Sequence, residues 1–205
     1  MDFNFFAGLD EAGRGPVAGP VSAACVILSP DFPVEFLNDS KKLTERKREK
    51  IFPLIKEKCC WGHAYVEHDE IDRINILQAS LKAMALAYEQ MIAKLPEWCR
   101  KNGIEMIDDV RKIQAMTDGT FVPEIDCNVK CEAKADGNYP AVMAASIIAK
   151  VERDHLMVEY DRKYPEYGYA KHKGYPTAAH LEVIRRIGPS PIQRLSFNID
   201  GKKKK

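Results

Sequence analysis

Phe5-Phe6-Ala7-Gly8-Leu9-Asp10-Glu11-Ala12-Gly13-Arg14-Gly15-Pro16 joins an apolar run, two adjacent acids and a glycine-rich turn. An apolar run closed by such a turn reads as a buried strand, here residues 3–9. Acids at the end of a buried strand do nothing for folding. Neighbouring carboxylates repel, and burial makes the repulsion worse. A hard divalent cation with oxygen ligands is the natural compensation. The competing reading is a solvated turn that happens to be acidic.

Further strands are expected at 17–28, 61–67 and 129–133. Residues 44–58 carry apolar side chains at helical spacing, with Pro53 expected to kink or break the helix. Residues 69–95 are helical in pattern, with Asn75 as an N-cap and Pro96 as a stop. A short apolar stretch, Ile113 to Met116, leads into Thr117-Asp118-Gly119. Pro140 opens a long helix that reaches about Asp161, and a last helix starts near Thr177. There is no internal repeat. This order predicts an α/β fold, a mixed sheet flanked by helices. If the strands that lead to Asp10-Glu11 and to Asp118 are neighbours, three carboxylates meet at one rim. Asp136 adds a fourth acid just before the long helix, a place the helix dipole favours for structural reasons alone. Asp118-Gly119 also reads as a plain turn, and Asp108-Asp109 is a rival carboxylate pair.

The 205 residues suit one domain, or one domain with a small appendage. With 31 basic and 30 acidic residues the net charge is +1, which excludes a global basic field. Polyanion binding must then come from local patches such as Lys41-Lys42, residues 171–173 or the Lys202–Lys205 tail. Six cysteines at 25, 59, 60, 99, 127 and 131 show no zinc-knuckle spacing, so reduced and mostly buried thiols are expected. Met1 to Phe6 lacks a basic start and a long apolar stretch, and no run is long enough to cross a bilayer. These features predict a soluble cytoplasmic protein with no membrane partner. No serine or cysteine triad and no Walker-type loop is present. Three or four gathered acids would hold one or two Mg²⁺ or Mn²⁺ ions, and a two-metal site suits in-line displacement at phosphorus. Gly13-x-Gly15-x-x-Ala18 has the bare spacing of a dinucleotide fingerprint. Pro16 and Pro20 would disrupt its helix, however, and the acids would repel a pyrophosphate.

The stretch from Gly8 to Pro20 resembles the opening motif of ribonuclease HII, the type 2 ribonucleases H. Other blocks follow in order: Asp39 to Leu43, Glu70-Ile71-Asp72, Asn75 to Ala79, Asp118-Gly119, Asp136, Ala144 to Val151, Arg153-Asp154, Tyr164-Pro165 and His172 to Tyr175. The resemblance implies a ribonuclease H-like fold, a five-stranded mixed sheet with helices and a C-terminal helical extension. It implies one domain over 1–205, with a catalytic core to about 165, the helical portion to about 199 and a basic tail. It implies a monomer that cleaves the RNA strand of RNA–DNA hybrids and incises duplex DNA 5′ of a single ribonucleotide, leaving 5′-phosphate and 3′-hydroxyl ends. Its use would be removal of misincorporated ribonucleotides and RNA primers. A non-catalytic hybrid-binding module is the alternative.

By position, Asp10, Glu11, Asp118 and Asp136 match the family's metal-binding acids. Gly13, Arg14 and Gly15 match the motif that meets the ribonucleotide 2′-hydroxyl, and Tyr175 the tyrosine at the RNA–DNA junction. Ser146 falls among the substrate-binding positions. Lys41, Lys42, Lys150 and Lys173 are candidates for phosphate contacts. The chain departs from the family at Ala135, where glycine is usual and backbone freedom is expected to suffer. It departs again at Gln193, where histidine is usual and a titrating group is lost.

Overall fold

The computed structural model describes residues 5–37 and 43–199. Side chains alternate along β1 (Phe6–Ala12), so Ala7, Leu9 and Glu11 leave on one face and Gly8 and Asp10 on the other. The strand runs beyond the expected end at Leu9 because pairing continues: Asp10, Glu11 and Ala12 lie opposite Ala24, Ala23 and Ser22 of β2 (Val21–Ile27). β2 pairs antiparallel with β3 (Cys60–Val66). On its other side β1 pairs in parallel with β4 (Gln114–Asp118), and β4 with β5 (Asn128–Glu132). The result is the expected mixed sheet, five strands in the order β3-β2-β1-β4-β5.

Helix α2 (His68–Asn102) covers the face that carries Ala7, Leu9, Ala23 and Cys25. Helices α1 (Glu45–Lys58) and α3 (Pro140–Lys163) cover the other, against Ala24 and Val26. Pro53 lies inside α1 without ending it. Pro96 does not stop α2 either, contrary to the sequence expectation. A proline removes one amide from the ladder, but Trp98 and Cys99 are buried beyond that point, and Trp98 Nε1 donates to the Lys58 carbonyl at 2.8 Å. Tertiary packing therefore carries the helix on to Gly103, which closes it in the left-handed conformation. Asn75 does act as a cap: its Oδ1 accepts from the Leu77 and Gln78 amides. It breaks α2 near its start, at φ 68 and ψ 164.

Helix α3 rests directly on β1. A Cβ on Gly8 would lie 2.1 Å from the Ala141 carbonyl carbon, so only glycine admits the first turn of α3 so closely. This contact brings the segment before α3 to the rim of the sheet. Beyond α3, the short α4 (Tyr169–His172) and α5 (Ala178–Ile187) follow; α5 starts near Thr177 as expected, and Thr177 caps it. Tyr167, Tyr169 and Ile192 pack there with Met157 of α3 and with Ala18. Among the described residues no helix is long and apolar enough to cross a membrane.

Candidate active site

Parallel pairing sets Gly8 beside Met116 and Leu9 beside Thr117. One residue further along, Asp10 and Asp118 come side by side on the face that α3 covers. The third acid comes from the turn before α3. Lys134 takes the left-handed conformation at φ 67, and Ala135–Gly137 form a 3-10 turn. The Ala135 amide donates to Asp118 Oδ1 at 2.8 Å, which ties that turn to the end of β4. Carboxylate oxygens of Asp10, Asp118 and Asp136 then lie within 4.8 Å of one another.

Asp10 and Asp136 are 6% and 5% exposed. Burial, and then the charges of Glu11 and Asp118, push the Asp10 carboxyl well above its ordinary pKa; hydrogen bonds from Ser146 and from the Glu11 amide offset only part of this. No cationic side chain among the described residues pairs with Asp10. Converging hard oxygen donors, with burial and neighbouring acids opposing the charge on one of them, fit a Mg²⁺-type ion by their chemistry.

Glu11, expected to join the cluster with Asp10, diverges from the other three. Alternation sends it to the α2 face, where its Oε1 accepts from Arg14 Nη1 at 3.1 Å. Burial raises its pKa, Arg14 opposes the rise, and the charge of Asp118 adds to it. Glu11 thus lies at the border of the cluster, lining space on both sides of the sheet's rim. The rival acids Asp108 and Asp109 form surface ion pairs with Lys112 and Arg111, at 2.8 and 2.7 Å.

Beside the acids lies a cleft of about 310 Å³ lined by Gly13, Arg14, Gly15, Ser146, Lys150 and Tyr175, all sequence candidates. Tyr175 is 45% exposed, with its ring edge 3.3 Å from where a Gly15 Cβ would sit. Lys150 is not a free cation, because its ammonium pairs with Asp154 at 2.7 Å. Lys173 turns its ammonium to the Ala170 carbonyl instead of the cleft. Lys41 and Lys42 lie outside the described residues.

Two departures from the family pattern are accommodated. Ala135 keeps a negative φ, since the left-handed residue is Lys134, and its methyl group is fully buried with Met116 and Val142. The expected loss of backbone freedom therefore does not arise. Gln193 is buried and donates from Nε2 to the Val17 carbonyl at 2.9 Å, a tie between the chain's end and the loop after β1.

Sequence reasoning missed two buried arginines behind that loop. Arg153 donates to the carbonyls of Ala18, Pro20 and Lys173. It also explains Gly13, which sits at φ 97 and whose added Cβ would fall 2.1 Å from Arg153 Nε. Arg194 donates to the carbonyls of Gly13, Arg14, Pro16 and Gly19. A charge on the apolar stripe of α3 was the available signal for Arg153, four residues after the buried Ala149 and four before the buried Met157.

A mixed sheet in this order, with acids at the adjacent ends of its first and fourth strands, is a ribonuclease H-like arrangement. The Ribonuclease HII family matches residues 7–199. A ribonuclease HII of Treponema denticola is 50% identical over 194 residues, covering 93% of this chain and 96% of that one. One from Idiomarina loihiensis is 47% identical over 192 residues, covering 93% and 94%. The crystal structure of the ribonuclease H2 from Pyrococcus horikoshii OT3 superposes with a TM-score of 0.68 at 28% identity, covering 95% of this chain and 94% of that one. The chain belongs to the ribonuclease HII family and is a hydrolytic endoribonuclease of the ribonuclease H kind.

Proposed function

We propose that the enzyme incises duplex DNA on the 5′ side of an embedded ribonucleotide, and the RNA strand of RNA–DNA hybrids, leaving 5′-phosphate and 3′-hydroxyl ends. The observation that carries this reading is the convergence of Asp10, Asp118 and Asp136 within 4.8 Å, beside a cleft lined by Gly13, Arg14, Gly15 and Tyr175. Asp10, Asp118 and Asp136 would hold one or two ions, Mg²⁺ or Mn²⁺, with Glu11 at their border. Such ions supply Lewis-acid activation of the attacking water and neutralise charge at the leaving oxygen.

The chain's own groups do the rest. The Ser146 hydroxyl holds the Asp10 carboxylate, and the Ala135 amide holds that of Asp118, so both keep their orientation without substrate. The backbone of Gly13 to Gly15 borders the cleft, where a 2′-hydroxyl can both donate and accept; that group is what separates RNA from DNA. Tyr175 offers a flat face to a sugar or base at the junction. Arg14, half-exposed and paired with Glu11, is placed to exchange that carboxylate for a phosphate. All these groups come from a single chain, in keeping with a monomer, and six free thiols suit a reducing compartment such as the cytoplasm.

The test is product mapping on a duplex with one ribonucleotide and on a continuous hybrid, with Mg²⁺, with Mn²⁺ and with chelator. Metal-dependent cutting 5′ of the ribonucleotide is expected. Binding without cutting in either metal would favour the hybrid-binding module.

A further inference from the structure

We infer that Arg194 is a positioning residue for ribonucleotide recognition, setting which amides of the Gly13-Arg14-Gly15 turn face the cleft; this rests on the reading just given of that turn. Arg194 is fully buried, and no carboxylate among the described residues forms an ion pair with it. Its guanidinium meets backbone oxygens instead: Nη2 to Gly13 at 2.7 Å, Nη1 to Arg14 at 3.3 Å and to Pro16 at 2.8 Å, and Nε to Gly19 at 2.8 Å. The face of the fork lies 5.1 Å from the centre of the Phe197 ring. A planar group with donors along its edge and a ring on its face has its orientation fixed.

The consequence follows from peptide geometry. In a trans peptide the carbonyl of one residue and the amide of the next point in opposite directions. Drawing the Gly13 carbonyl inward turns the Arg14 amide outward. Drawing the Arg14 carbonyl inward does the same for the Gly15 amide. Arg14 and Gly15 are both exposed and both line the cleft, and neither amide has a partner among the described residues. Consecutive outward amides form a concave set of donors suited to an electron-rich oxygen. Val17 does not join them, since its amide is used by the Gly174 carbonyl at 2.9 Å. Arg153 fixes the far side of the same loop through Ala18 and Pro20. The two guanidiniums thus hold the loop from behind while its amides face the substrate.

Lysine cannot replace such a fork, because a point charge on a flexible stem cannot reach four carbonyls at once. The experiment compares wild type with Arg194→Lys in chelator, so that nothing is cut. Fluorescence anisotropy gives Kd for an all-DNA duplex and for the same duplex with one ribonucleotide, below the melting transition of each protein. In Arg194→Lys the ribonucleotide preference is expected to fall about tenfold, the scale of one lost hydrogen bond to a polar group, with the all-DNA Kd nearly unchanged. A folded variant that keeps the wild-type preference overturns the inference, as does an equal loss on both duplexes. Wild type without any preference would instead sink the reading of the turn. Hydrogen exchange on wild type covers the case of a variant that does not fold. The Arg14 and Gly15 amides should exchange rapidly in the free protein and become protected by the ribonucleotide duplex alone. Slow exchange in the free protein would show them turned inward and would overturn the inference.

Discussion

Asp10 concentrates the conflict between stability and function in one side chain. Its pKa is raised by burial and by neighbouring acids, so the folded state holds its proton to a higher pH than the unfolded chain does. Without metal, Asp10 therefore costs stability at neutral pH, and the cost disappears as pH falls through the folded value towards the unfolded one. Asp10→Asn is expected to melt at a higher temperature than wild type in chelator at pH 7, with the difference shrinking as pH falls towards 4. The same variant should lose the stabilisation that Mg²⁺ confers on wild type, and about a hundredfold or more in cutting. Scanning fluorimetry across pH with a cleavage assay checks all three, and an unchanged turnover would remove Asp10 from the site. Ala135 works the other way. Because its methyl group is buried at an ordinary φ, Ala135→Gly should lower stability by about 1 kcal/mol through chain entropy and a small void. A urea titration that shows a gain would mean that the backbone there is strained after all.

At the scale of elements, α2 shows where sequence patterns speak and where they fall silent. Asn75 was legible as a cap because its side chain acts within three residues of itself. Its conformation was not legible, since φ 68 with ψ 164 belongs to a region that suits glycine and is imposed by the segments on either side. Asn75→Ala loses the cap and keeps the strain, so a loss of about 2 kcal/mol is expected, whereas Asn75→Gly should cost far less. Comparing the two unfolding midpoints tests this, and equal losses would remove the strain from the account. Pro96 misled for a related reason: the stop signal is local, but the burial of Trp98 against the end of α1 is not. The turn that presents Tyr175 rests on a stacked pair, His172 and His180, with ring centres 4.2 Å apart. His172 accepts from the Gly174 amide, and His180 bonds to the Tyr175 carbonyl. Burial lowers both pKa values, so their stability contribution is complete above the unfolded value near 6.5 and fades as pH falls through the folded ones. Histidine NMR titrations should show both rings titrating below 6.5; values above it would refute the argument.

Across the whole molecule, the legible parts were those whose signal lies within one element: strand alternation, the helical stripes, the acids after apolar runs. The resemblance to ribonuclease HII supplied the order of the blocks. What stayed hidden joins the two ends of the chain. The Gly19 amide donates to the Ile192 carbonyl, the Arg194 amide to that of Val17, and Gln193 lies opposite Ala18. No pattern within residues 13–20 announces that residues 192–194 will cover them, because such pairing carries no local periodicity. The same holds for Asp72, quoted only as part of a block, which accepts from the Leu195 and Ser196 amides at 2.8 and 2.9 Å and from the Ser196 hydroxyl. Burial opposes its ionisation, but the Ser196 and Leu195 donors outweigh that and hold its pKa below the ordinary value. Its contribution is therefore present above the unfolded pKa and lost as pH falls through the folded one. Asp72→Ala should release the C-terminal segment from α2, at a cost of about 1–3 kcal/mol for the unpaired donors. Limited proteolysis should then cut near residues 188–199 earlier than in wild type. Because that segment carries Arg194, cutting at a single ribonucleotide should fall more steeply than affinity for plain duplex DNA. Proteolysis and cutting that both match wild type would show that the segment is held without Asp72, by the ties of Ile192, Gln193 and Arg194 to the loop after β1.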